Sequence, residues 1–88
     1  PHKKIKLVDP KKTDRIKEAI RSEKIKLVII DGTLCFITLM AAIQAVREVR
    51  KKKKLNITIC VINQDPICVE GVIWEQKPEN TQKYLRRA

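Results

Sequence analysis

The sequence predicts a two-layer α/β domain in the order β-α-β-α-β-β, with a four-stranded mixed sheet and both helices on one face. Three observations carry this expectation. The run LVII at residues 27–30 is continuously apolar, as a strand covered on both faces requires. Residues 34–52 carry a helix-length apolar pattern that ends in cations. LNITICVI at 55–62 begins by alternating apolar and polar side chains, the period of a strand.

The elements follow in order. Ile5 to Val8 reads as a short first strand, with apolar residues at 5, 7 and 8 among lysines. Asp9-Pro10 then offers a cap and a first helical residue. In KKTDRIKEAIRSEK, Ile16, Ala19 and Ile20 share one helical face, while Lys17, Glu18 and Arg21 lie away from it. Ile25 to Ile30 forms the second strand. Crossovers joining the first three strands are right-handed, which sets both helices on one side.

The stretch VIIDGTL resembles the first motif of the haloacid-dehalogenase superfamily, an apolar strand followed by Asp-x-Asp-Gly-Thr. In that family the first Asp attacks phosphorus. Here that position is Ile29, which can neither attack nor ligate magnesium, and so short a chain lacks the further Lys and Asp motifs. What remains is a turn: Asp31-Gly32 for tightness and Thr33 as a cap for the next helix.

That helix is expected over Leu34 to Lys52, and its first half is apolar almost all round. One sheet face needs only a stripe about 100° wide. The surplus requires a second covering, so Phe36, Leu39, Met40 and Ile43 are expected at an interface, in a homodimer or against a protein partner. The helix ends in VREVRKKKK, cations that suit the negative end of its dipole. The third strand spans Leu55 to Ile62. Asn63-Gln64-Asp65-Pro66 reads as a turn, and Cys68 to Trp74 as a fourth strand antiparallel to the third, with Gly71 at a bulge or a close approach. Residues 1–75 form the domain, and QKPENTQKYLRRA at 76–88 a polar, basic tail.

Totals bound the function. Eighty-eight residues make one domain. Twenty Lys and Arg against ten Asp and Glu give +10, an excess that suits an anionic partner such as nucleic acid. A richness in Ile, Lys and Arg also suits a heat-adapted host. Apolar residues are 43% of the chain but aromatic ones 3%, an aliphatic core rather than a base-stacking platform. Three cysteines without a C-x-x-C pair and one His argue against a zinc site. No cofactor, metal or catalytic set is expected. The charged N-terminus and an apolar run of only 13 residues, Leu34 to Val46, point to a cytoplasmic protein without a membrane partner.

Two basic groups are the candidate nucleic-acid contacts. Arg47, Arg50 and Lys51 to Lys54 crowd the end of the long helix, and Lys11 and Lys12 follow the first strand. Their chemistry is neutralisation of phosphates, with little reading of base sequence. Equally, each group could be a solvated surface that keeps the chain soluble. Cys60 and Cys68 flank the 63–66 turn at nearly equal distances, so they could face each other as a disulfide; two buried thiols suit a reducing compartment better.

The layout over about residues 3–75 resembles the Alba superfamily and the related C-terminal domain of bacterial initiation factor three. KIKLVIIDG feeding FITLMAAIQAVREVRKKKK is similar to the Alba strand, turn and long basic-ended helix. DPKKTD lies where Alba proteins carry a Gly-Lys-Lys-Pro loop whose lysines touch nucleic acid. The resemblance implies that role for Lys11 and Lys12. The loop glycine is absent here, DGTL replaces a basic Arg-Gly-Arg, and the short NQDP replaces a long basic hairpin. A second layout, that of anti-sigma-antagonist domains, would use the apolar helix over 34–49 to dock a protein partner instead.

Overall fold

A computed structural model describes residues 5–67 and 69–83. Helix α1 spans Thr13–Ser22, strand β1 Leu27–Asp31, helix α2 Phe36–Lys53, strand β2 Thr58–Ile62 and strand β3 Val72–Glu75; a 3-10 turn follows at Pro78–Asn80. The mixed helix-and-strand class matches the sequence expectation.

The sheet differs from that expectation in two ways. Three strands form among the described residues, in the order β1-β2-β3, and both pairings are parallel. Residues 58–62 therefore take the central place, and Ile59, Cys60 and Val61 are completely buried. The expected hairpin after β2 is absent. Asn63 takes a left-handed conformation at φ 61 and donates its N–H to the Glu75 carbonyl at 3.0 Å. This extends the parallel ladder instead of folding the chain back on itself. Residues 63–71 then carry the chain to the start of β3, fewer than the dozen or so a parallel crossover usually needs. Val69 packs on the core during the return.

Ile5 to Val8 does not pair as a strand. Ile5 and Leu7 stand 76% and 92% exposed, while Lys6 and Val8 line a cavity of about 400 Å3 together with β1. Asp9-Pro10 makes a turn rather than a helix start. Asp9 accepts the N–H of Lys12 on its carbonyl at 3.0 Å and that of Lys11 on its carboxylate at 2.9 Å. These bonds hold the chain in a local turn, so α1 begins only at Thr13.

Helix α2 lies on the sheet face formed by Val28, Ile30, Ile59, Val61, Val72 and Trp74. Ile16 and Ile20 of α1 join the same cluster, which places both helices on one side. Part of the apolar surplus of α2 finds its covering within the chain. Leu39 is 1% exposed and Ile43 fully buried, so these two expected interface residues belong to the core. The opposite sheet face holds Ile29, Cys60, Ile62, Ile73 and Glu75. Glu75 there accepts from Asn80 at 3.2 Å and lies 3.9 Å from Lys83, which ties the start of the tail to the sheet.

Gly32 answers the question of the VIIDGTL stretch. Its N–H meets the Ile62 carbonyl at 2.7 Å, and a Cβ there would run into Gln64 and that same carbonyl. Glycine is required for this close approach of two chain segments. Thr33 does not cap α2. Its N–H and hydroxyl both donate to the Asp31 carboxylate, at 2.9 and 2.8 Å, while Cys35 holds the N-cap position with no side-chain cap bond.

Candidate nucleic-acid interface

Direction of the helices decides where the cations gather. Lys17 of α1 pairs with Glu48 of α2 at 3.0 Å, and Arg21, one turn on, also bears on Glu48 together with Lys52. Ahead of the helices, the charge of Lys11 bears on Cys35. The two helices therefore run side by side in the same direction. Their C-termini share one end of the molecule, beside the N-terminal ends of β1 and β2.

At that end α2 closes with Arg50, Lys51, Lys52 and Lys53 in its last turn. Lys54 follows in the left-handed conformation at φ 53, its N–H reaching the carbonyls of Arg50 and Lys51. The four lysines are exposed, as are Arg21, Lys24 and Lys26 at the end of α1 and the approach to β1. The Lys26 carbonyl accepts the Thr58 N–H at 2.9 Å, which fixes this approach against β2. Two helix C-termini each contribute roughly half a negative charge, so cations are favoured here even before a ligand arrives.

Seven cations, Arg21, Lys24, Lys26 and Lys51 to Lys54, make up this basic pole. Glu48 nearby is held below its ordinary carboxylate value by the hydrogen bond and charge of Lys17, then by Lys52 and Arg21. The ion pairs among the described residues join Lys6 to Glu23, Lys17 to Glu48 and Lys83 to Glu75. None of them uses a cation of the pole. Glu18, Glu23 and Glu48 are its acidic neighbours in sequence; Glu23 faces Lys6 at 3.9 Å and Glu48 faces Lys17 at 3.0 Å.

The residues expected to grip nucleic acid are thus divided. Lys51 to Lys54 stand together on the pole, and Arg47 is half-buried on α2. Arg50 turns inward: its Nη1 donates to the carbonyls of Ile57 and Gly71, each at 3.2 Å. Lys11 and Lys12 lie ahead of α1, at the other end of the helix pair. Helix α2 has 18 residues and spans about 27 Å at 1.5 Å per residue, so one compact surface does not hold both groups. Arg21, Lys24 and Lys26 form no dense basic run in the sequence. Their signal is topological: successive strand–helix units in one sheet bring helix C-termini to the same edge.

Other chemistry is thin. Cys35 is exposed at the N-cap of α2, its sulfur 3.1 Å from the Thr38 hydroxyl, and that bond lowers its thiol pKa. Cys60 is a free, buried thiol pushed up by burial and then by the charge of Glu75. Its strand neighbour is Ile73 in a parallel ladder, so the hairpin that would have set it opposite Cys68 does not form. Cys68 itself lies outside the described residues. Of the expected interface set, Phe36 is 60% exposed, with Ile37 beside it at 81%, and Met40 is half-buried. Among the described residues no group of three His, Cys, Asp or Glu could hold a metal ion, and no helix is long and apolar enough to cross a membrane.

Comparison with protein-family models, curated proteins and solved structures finds no match to this chain.

Proposed function

We propose that this chain is a small nucleic-acid-binding protein that holds phosphate backbone on its basic pole and reads little base sequence. One observation carries the reading. Seven exposed cations from two helix ends converge on one surface without an acidic partner among the ion pairs of the described residues. A net charge of +10 raises the cost of leaving that surface unneutralised. Lysines supply point charges for phosphates but no rigid fork for base edges, so contacts position the ligand without specifying sequence.

The grip consists of Lys51 to Lys54 with Arg21, Lys24 and Lys26. Arg50 supports it from beneath by tying the starts of β2 and β3 to the end of α2. Lys11 and Lys12 form a separate basic point, one that an Alba-like arrangement would use for a second contact. No catalytic role is part of this reading. A homodimer formed through Phe36 and Met40 at the amino end of α2 would leave the pole free.

A second reading rests on Phe36 and Ile37, 60% and 81% exposed. They suit a protein partner at the amino end of α2, with the charge serving solubility. Fluorescence anisotropy with labelled nucleic acid separates the two. Binding that weakens steeply with salt and on neutralising Lys51 to Lys53 supports the pole. Failure to bind at 50 mM salt removes it and leaves the apolar end as the candidate surface.

A further inference from the structure

We infer that the ligand of the basic pole is double-stranded nucleic acid, gripped by phosphates on both sides of a groove; this rests on the phosphate-holding reading above. Two sets of cations make up the pole. One fans out from the last turn of α2, at Lys51 to Lys54. The other follows α1, at Arg21, Lys24 and Lys26. Helices α1 and α2 pack against each other through Ile20 and the core face of α2, and packed helix axes lie about 8–10 Å apart. Two clusters of long, flexible cations carried by neighbouring helix ends can reach the two phosphate rows that border a groove about 12 Å wide in B-form DNA. A single strand offers only one row.

Charge density points the same way. A duplex presents one phosphate per about 1.7 Å of axis, and each strand alone one per about 3.4 Å. Seven cations crowded onto one end of a molecule 32 × 30 × 22 Å find their counter-charges more readily on the denser ligand.

The side-chain chemistry of the pole gives a single strand little to compensate. Single strands are held by stacking bases on aromatic rings or guanidinium planes, worth about 1–3 kcal/mol per base. Of the aromatic residues described, Trp74 packs into the core and Phe36 stands at the far end of α2. Arg50, the guanidinium nearest the lysine run, is occupied with two backbone carbonyls, which leaves Arg21 as the one exposed guanidinium of the pole. Lysine ammonium groups neutralise phosphates and do not stack.

The test is a pair of anisotropy titrations with a labelled 20-base-pair duplex and its labelled single strand, from 50 to 200 mM salt. With about six phosphates engaged, duplex affinity falls about 1000-fold across that range; with about three on a single strand, about 20-fold. The duplex also binds more tightly at 50 mM. Lys24→Gln with Lys26→Gln lowers the magnitude of the duplex slope by about 2, because one of the two clusters is thinned, and barely moves that of the single strand. A single strand bound as tightly as the duplex, with as steep a slope, would overturn the inference while leaving phosphate binding intact. No binding of either at 50 mM would overturn both together.

Discussion

Arg50 Nη1 donates to the Gly71 carbonyl at 3.2 Å, across 21 residues of chain, and to the Ile57 carbonyl at the same distance. One guanidinium thereby ties the end of α2 to the chain just ahead of both β2 and β3. Arg50→Ala removes two charge-assisted hydrogen bonds and leaves two carbonyls without that donor. The expected loss is about 2 kcal/mol of unfolding free energy, read as a lower urea midpoint. Arg50→Lys restores only part of it, since a lysine lacks the planar fork.

Gly71 and Gly32 should respond differently to a methyl group. Gly71 sits at φ 73, and a Cβ there would come within 2.7 Å of Arg50 Nη2, the movable end of a side chain. Gly71→Ala is expected to cost about 1–2 kcal/mol, mostly from the left-handed backbone. Gly32→Ala meets the Ile62 carbonyl at the end of β2 and the Gln64 Cβ, neither the free end of a side chain; about 3 kcal/mol is expected. Equal urea midpoints for the two variants would contradict this assignment.

How much of this was legible in the sequence varies by element. The strand expected over 25–30 and the helix expected over 34–52 lie within two residues of β1 and α2, because burial on one or both faces leaves a period in the chain. The pairing of β3 was not legible. Asn63-Gln64-Asp65-Pro66 has hairpin chemistry, and only the extension of the ladder through the Asn63 N–H shows that the chain turns away from a hairpin. The strand-like IKLV at 5–8 illustrates a second limit: a local pattern cannot say whether an edge is available at the right distance. Three of the seven cations of the pole are not legible for a related reason, since Arg21, Lys24 and Lys26 join Lys51 to Lys54 only through the parallel course of the two helices.

The unpaired segment has an observable consequence. Amides of Lys6 to Val8 should exchange with solvent at nearly unprotected rates, whereas those of Ile59 to Val61, in the central strand, should exchange slowest. Hydrogen exchange followed by NMR reads both directly. Protection of Lys6 to Val8 comparable to that of β2 would show that the segment pairs with the edge of β1.

Cys35 and Cys60 differ in reactivity. With Cys68→Ser as background, iodoacetamide should modify Cys35 in the native protein and reach Cys60 only on unfolding. The Cys35 thiol is lowered chiefly by the Thr38 hydroxyl, so its rate rises with pH at a lower value than for an ordinary thiol. Thr38→Val should move that profile upward. An unchanged profile would mean that the 3.1 Å contact does not act on the sulfur.

Asp31 gives a pH dependence of defined sign. Its carboxyl is held below the ordinary value of 3.8 by the Thr33 N–H and then the Thr33 hydroxyl. A group depressed on folding adds stability above its unfolded value, and loses it as pH falls through the folded one. The contribution of Asp31 is therefore full above about pH 5 and fades below pH 3.8. Thr33→Val should raise the Asp31 titration seen by NMR and weaken this acid limb.

The central claim is that the pole holds phosphates, and the slope of log affinity against log salt tests it most directly. Wild type and a Lys51→Gln, Lys52→Gln, Lys53→Gln variant would be compared on one duplex; Lys54 stays, because it holds the left-handed position that ends α2. Each phosphate contact contributes about −0.9 to the slope, so losing three should flatten it by about 2.7. Identical slopes for both proteins, or no binding by wild type at 50 mM salt, would contradict the account.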